Sequence, residues 1–582
     1  MPCTRPAVSP EYADFIIRYF AFPQSLLSTI EEGCLSFINS QFAVVYRPLE
    51  EALPITLNRY SYSSIPNLYT LLDASSMESS GILTSFSQPS LNTQGENTII
   101  GIIDTGIDYR NPVFLGTDRS TRILGIWDQT IELNESNESG VSGERAGQLP
   151  EDIFYGTAYT KEDIDRALAS DSPLDIVPST DENGHGTFLA GIAAGRQELS
   201  GGEAFTGAAP RAFIAAVKLK PAKQYLRDYY VLPDSAEAYQ ENDIMMGMKY
   251  LLSLARTKRL PLTILLALGT NLGSHEGTSP LAQYLDTISN FPGIITVTAA
   301  GNETGYSHHF FGTIGTDEEF EDAELRVAEG ETGFTLELWS QEPELFSIGF
   351  LSPTGEQISR IPNNTLTEQR ITFVLENTVI YLNYQVAEAG TGSQLIIMRF
   401  IKPTPGIWRI RVYNSLYLRG EYHLWLPSKG FISDDTFFLR PSPDTVVTEP
   451  GNASQTITAG AFNHRNGGIY IHSSRGYTRL GRVKPDLAAP GVNVDGPGIQ
   501  GAAGFPMRAM TGTSAAAAHV AGAAANLLSW SFREGSISYM NTSVAKTYLI
   551  RGADRNPVFA YPNREWGYGT LNLYGAFLRL RE

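Results

Sequence analysis

The run Thr98-Ile-Ile-Gly-Ile-Ile-Asp104 is a continuous, β-branched apolar stretch of the kind that forms a strand buried on both faces, and a Thr-Gly-Ile-Asp turn follows at once. Similar segments recur at 212–220 (AFIAAVKLK), 263–269 (TILLALG) and 293–302 (GIITVTAAGN), with a helical pattern at 244–255 (IMMGMKYLLSLA). Strands alternating with helices at this spacing predict an α/β fold, a parallel sheet with helices on both faces.

The pattern changes between about Phe311 and Val447. There the segments are short and alternating (FTLELWS, ITFVLE, QLIIMRF, WRIRVYN, YHLWLP), which predicts an all-β sandwich inserted into the α/β unit. The α/β signature resumes with QTITAGAF at 455–462 and runs through the alanine-rich stretch after Ser514. Residues 11–75 mix aromatic-rich apolar runs with turn signals and read as a small α/β unit; residues 73–96 are rich in Ser, Gln, Gly and Pro, the composition of a linker or processing region. A chain of 582 residues exceeds what one core usually serves. The expected division is 1–75, a linker at 76–94, a first α/β part at 95–310, the β insert at 311–447 and a second α/β part at 448–582.

Three kinds of partner are disfavoured. A net charge of -19 argues against nucleic acid, whose binding rests on neutralising phosphates with Lys and Arg; a protein or peptide partner fits better. With two cysteines, Cys3 and Cys34, no disulfide framework is expected, although one bridge between them stays open, and no Cys/His cluster has metal-ligand spacing, so neither metal nor cofactor is expected. No stretch approaches 18 apolar residues and the N-terminus lacks a basic segment leading into an apolar one. The expectation is no membrane span and no general export signal, hence an intracellular, spore-associated or otherwise specially routed protein.

The chemistry is carried by three strings: IIDTGID around Asp104, NGHGTFLAGIAAG around His185 and GTSAAAAHVAG around Ser514. An Asp ending a buried strand can be fixed to accept an imidazole N–H, which leaves the other ring nitrogen free as a base. A serine hydroxyl, a weak nucleophile, needs that base. Gly184 and Gly186 keep side chains away from His185, and Ser514 immediately precedes a strong helix former, so its hydroxyl sits at a helix N-terminus where backbone N–H groups can stabilise an oxyanion. Asn302, in AAGN at a strand end, is a further side-chain donor for that charge.

The order Asp, His, Ser with these strings resembles the subtilisin-like serine proteases, the subtilase family, over most of 95–310 and 450–582. The resemblance implies that Asp104 orients, His185 is general base and acid, Ser514 is the nucleophile and Asn302 completes the oxyanion hole. It further implies that Ala267-Leu268-Gly269 pairs with an extended substrate and that Ala299-Ala300-Gly301 walls the specificity pocket. SSRGYTRLGRVKPDLAAPGV at 473–492 resembles the family's segment before the nucleophile. Ala515 and Ala518 stand where the family usually has Met and Pro, a tolerable change in a first helical turn.

The long His185-to-Ser514 spacing, the N-terminal unit and the closing YPNREWGYGTLNLYGAF resemble the germination-type subtilases of spore-forming anaerobes. That likeness implies an N-terminal prodomain released by self-cleavage that can stay bound as inhibitor or chaperone, a jelly-roll-like insert, and the zymogen of a cortex-degrading hydrolase as substrate. Some members are pseudoproteases, so a prodomain-inhibited scaffold acting through its β insert is the alternative; here all three triad residues are present. His308, His309 and His519 read as structural or surface residues, DEEFEDAE at 317–324 as a solvated face before a calcium site, and Trp339, Trp408 and Trp425 as sandwich core before a sugar platform.

Overall fold

The computed structural model describes residues 3, 5–19, 30, 34–71, 80–86, 93–133, 146–197, 205–363, 367–416, 418–502, 504–534 and 540–580. Near the N-terminus, β1 (Tyr12–Arg18), β2 (Leu35–Phe37) and β3 (Phe42–Pro48) form an antiparallel sheet in the order β1-β3-β2. Cys3 and Cys34 are joined by a disulfide, which corrects the expectation of a fold unsupported by one. Two cysteines are too few to signal a bridge by count; the sheet brings them together by setting β1 and β2 on either side of β3. A fourth strand, β4 (Leu68–Leu71), leaves this unit. Of the linker-like region, residues 72–79 and 87–92 lie outside the described residues, while Ile82–Phe86 is a short helix whose Ile82 is part of the main core.

The main sheet has eight strands. In chain order these are β5 (Ile99–Asp104), β6 (Ile123–Asp128), β7 (Thr157–Thr160), β8 (Phe213–Lys218), then, after the rim strand β9 (Tyr239–Gln240), β10 (Leu262–Leu266), and, past the two-residue strand β11 (Leu268–Gly269), β12 (Ile294–Ala299), β13 (Ile457–Phe462) and β14 (Leu487–Pro490). Their order across the sheet is β14-β13-β12-β10-β5-β8-β6-β7, and every pairing is parallel except β6 with β7.

All six residues of β5 are buried, and alternate residues enter different cores because successive side chains of a strand point to opposite faces. Ile100 and Ile102 join the cluster of α1 (His185–Ala194) and α4 (Thr513–Glu534), with Phe188, Leu189 and Ala515 to Ala518. Ile99 and Ile103 join the cluster of α2 (Glu241–Lys258) and α3 (Pro280–Ile288), with Met245, Met248, Leu281 and Leu285. This is the predicted α/β layer arrangement. The small residues of α4 allow close approach: a Cβ on Gly522 would come 2.3 Å from Ala208 Cβ.

Between β12 and β13 the chain forms two antiparallel sheets, of six and five strands, running from His309 to Phe438. Their shared core holds Trp408, Phe334, Phe350 and Phe400. Trp339 and Trp425 are not in it, contrary to the sequence reading. They join a separate cluster with Phe15, Ile55, Tyr62 and Tyr230 that seals the insert against the N-terminal unit and the α/β unit. A period-two pattern says that a residue faces inward on one side but not which side meets a second unit. Of DEEFEDAE, Asp322 pairs with Arg411 at 2.8 Å and Glu324 with Arg409 at 2.9 Å. Among the described residues no His/Cys/Asp/Glu group is arranged to hold a metal, and no helix is long and apolar enough to cross a membrane.

Candidate active site

Asp104 ends β5 at the carboxyl edge of the sheet and is 1% exposed. The TGID turn returns the chain along the start of α1, where Gly184 caps the helix in a left-handed conformation (φ 92°) and His185 is its first residue. His185 Nδ1–H donates to Asp104 Oδ1 at 2.8 Å, which fixes the ring and leaves Nε2 as the basic nitrogen. Gly186 is required here: a Cβ would lie 2.2 Å from Gly106 O.

Asp104 Oδ1 also accepts the Thr105 N–H at 2.8 Å. The Thr105 hydroxyl lies 2.9 Å from Asp181 Oδ1 and accepts the Gly186 N–H at 3.1 Å. Asp181 in turn accepts the N–H groups of Gly184 (2.8 Å) and Thr187 (2.9 Å) and the Thr187 hydroxyl (2.8 Å). One buried carboxylate thus ties the turn after Asp104 to the turn that presents His185. Sequence reasoning passed over Asp181, whose only signal was its place four residues before the histidine.

Ser514 is the second residue of α4 and fully buried. Thr513 N–H donates to Asn302 Oδ1 at 3.0 Å, and Gly301 N–H donates to Thr513 Oγ1 at 3.1 Å. With Oδ1 so occupied, the Nδ2 hydrogens are the half of the Asn302 amide left for an oxyanion. The next residue, Glu303, is held in a buried network: its carboxylate accepts from Asn271 Nδ2 (3.0 Å), His308 Nδ1 (2.9 Å) and Lys429 N–H (3.1 Å). His519 donates Nδ1–H to Ala515 O at 2.6 Å within α4, and burial lowers its pKa to about 3, so it packs as a neutral ring. Asn302→Ala is expected to lower kcat by about 10² to 10³ with little change in KM, since the lost donor acts on charge present only in the transition state. Steady-state kinetics on a fluorogenic peptide check it.

The strand Ala267-Leu268-Gly269 is already paired. β4 lies between β9 and β11 in a three-stranded antiparallel sheet, with Leu71 opposite Leu268, Thr70 opposite Gly269, Tyr69 opposite Tyr239 and Leu68 opposite Gln240. The rim strand Tyr239–Gln240 was missed in the sequence because two residues carry no period. Ala299, Ala300 and Gly301 continue β12, with Ala300 N–H bonded to Ala459 O and Ala300 O accepting Thr448 N–H, both at 2.9 Å. Gly301 has φ +99°, and a Cβ there would lie 2.7 Å from Thr448.

Beneath β11, Glu449 is fully buried; Oε1 accepts Gly277 N–H at 3.0 Å and Oε2 has no hydrogen-bond partner among the described residues. Burial, helped by nearby Glu241 and Glu276, pushes its pKa up to about 8. In the unfolded chain the proton leaves near pH ~4.3. Between these values the folded protein binds a proton that the unfolded chain does not, so this group's contribution to stability falls as pH rises from about 4 to about 8. Glu449→Gln is therefore expected to raise Tm over the wild type at pH ~8.5 and not at pH ~4.5. Melting curves at both pH values check it; an equal shift at both would contradict the assignment.

The sequence pattern described as the Subtilase family matches residues 95–349 and 439–569. Two Arabidopsis thaliana proteins, subtilisin-like proteases SBT2.2 and SBT3.4, are 26% and 24% identical to the chain over 79% and 75% of its length. The chain spans 57% and 56% of those relatives. Among solved structures, the Clostridium perfringens CspB protease aligns with a TM-score of 0.73 and 29% identity, over 87% of this chain and 97% of that one.

Proposed function

The chain belongs to the subtilase family, and from that membership we propose that it is a serine endopeptidase which first cuts its own N-terminal segment and then a selected protein substrate. Ser514 Oγ attacks the scissile carbonyl as His185 Nε2 takes its proton; Asp104 holds the ring through Nδ1–H and stabilises the imidazolium. The oxyanion meets Asn302 Nδ2–H and the N-terminal amides of α4. His185 returns the proton to the leaving amine, and water, activated by the same imidazole, releases the acyl group.

The observation that carries this reading is β4 in the cleft. Main-chain pairing on both sides of an extended segment is how a protease holds a peptide, affinity coming from the backbone and selectivity from alternate side chains. β4 runs antiparallel to β11, with Leu71 opposite Leu268 and Thr70 opposite Gly269, and the neighbouring β10 ends at Leu266, which pairs with Ile103 beside Asp104. Residues 1–75 then act as a prodomain, with the bond to be cut in 72–79, a narrower interval than the linker composition alone indicated. The likeness to germination-type subtilases supports one protein zymogen, rather than mixed protein, as the later substrate. Mass spectrometry of the purified chain tests the reading: the wild type yields a new N-terminus within 72–79 and Ser514→Ala stays whole. A wild type that stays whole would sink self-processing.

A further inference from the structure

Tyr69 belongs to β4, the segment that on the reading above lies where a substrate lies, yet its side chain is fully buried. It shares an apolar cluster with Leu268, Leu281 and Tyr284. The far end of this pocket is not apolar. Tyr69 Oη lies 3.4 Å from Glu241 Oε1.

Glu241 does more than line the pocket. Its Oε2 accepts Asn67 N–H at 3.1 Å, its own N–H donates to Asn67 O at 3.0 Å, and Oε1 accepts Leu281 N–H at 3.0 Å. The residue two before Tyr69 is thus gripped at both backbone groups while the carboxyl faces the phenol. Fully buried carboxyls such as that of Glu241 are a costly lining for a pocket meant for leucine or phenylalanine. They suit a side chain that is aromatic along its length and donates a hydrogen bond at its tip.

We propose that the cleft selects a tyrosine on the N-terminal side of the bond it cuts, at the position held by Tyr69, with Glu241 reading the hydroxyl. This rests on the reading of β4 as the substrate position. A phenylalanine leaves a buried acceptor short of a donor, whereas a phosphotyrosine brings a dianion into a buried pocket beside the Glu241 carboxyl.

The test uses the purified protein and three fluorogenic peptides with the sequence of residues 65–80, IPNLYTLLDASSMESS: as written, with Phe for Tyr, and with phosphotyrosine. The resident β4 slows all three alike, so ratios of kcat/KM are read. The tyrosine peptide is expected to exceed the phenylalanine one by at least about tenfold and the phosphorylated one by at least about 100-fold, with the second ratio reduced in Glu241→Gln. Equal rates for tyrosine and phenylalanine, or for tyrosine and phosphotyrosine, overturn the selectivity. Should protein that labels at Ser514 with a fluorophosphonate cut none of the three, β4 does not mark the substrate position, and the parent reading fails instead.

Discussion

If the proposed triad holds, Ser514→Ala is expected to lower kcat for peptide hydrolysis by about 10⁶-fold, His185→Ala by a similar factor, and the double variant to fall no further than either single one. The reason is that the two side chains do one job. A serine hydroxyl attacks only as its proton leaves, so removing the base idles the nucleophile, and removing the nucleophile leaves the base nothing to activate. What survives is transition-state binding by Asn302 and the α4 amides, which neither change removes. Asp104→Asn belongs to the same unit: an amide donating to Nδ1 would favour the wrong tautomer, for a loss of about 10⁴. Rates on a fluorogenic peptide, with fluorophosphonate labelling of Ser514 as a second readout, check the set. Losses that multiply in the double variant would mean that His185 does not activate Ser514.

The places of the three proposed triad residues in the fold were legible because each stands where a local rule speaks. Asp104 ends a run that can only be a buried strand, Gly184 and Gly186 clear space around His185, and Ser514 opens an alanine-rich helix. The parallel sheet and the β insert were legible for the same reason, since a period of two or an unbroken apolar run is written in neighbouring residues. Asp181 was not. Its role is to collect five donors from Thr105 to Thr187, and nothing in a lone acidic residue announces which N–H groups will converge on it. Tyr239–Gln240 is a strand only because β4 lies beside it, and Trp339 and Trp425 are buried by another unit. Glu337 is a case of the same kind: it accepts from Tyr62 of the N-terminal unit at 2.9 Å, from Trp339 of the insert at 3.0 Å and from Gly273 N–H of the α/β unit at 3.1 Å. Such junction residues depend on the assembled fold, which no window of sequence contains.

Asp14→Ala is expected to weaken the hold of the α/β unit on the N-terminal segment, once the proposed cut is made, by about 150- to 5,000-fold, the equivalent of roughly 3–5 kcal/mol for orphaning one member of a buried ion pair. Asp14, on β1, has no exposed surface and accepts Lys223 Nζ at 2.6 Å, Gln240 Nε2 at 3.1 Å and Asn242 Nδ2 at 3.1 Å. Burial lowers the pKa of Lys223, with Asp14 as the main opposing influence. Without Asp14 the ammonium keeps the Pro6 and Tyr12 carbonyls and the face of the Tyr46 ring, all of which belong to the departing segment. Gln240 adds a functional consequence. It is half of β9, the rim strand paired with β4, so the same carboxylate that anchors the N-terminal sheet steadies one wall of the cleft. Loss of Asp14 is therefore expected to free the segment, clear β4 from the cleft and raise peptide turnover per labelled Ser514. Size-exclusion chromatography of the self-cut protein reads the first effect and kinetics the second. Asp14→Leu with Lys223→Met separates charge from packing: with no ammonium stranded, the segment is expected to stay bound and turnover to stay low. A segment that remains bound in Asp14→Ala would show that the apolar clusters around Phe15 and Tyr46 hold it without the ion pair.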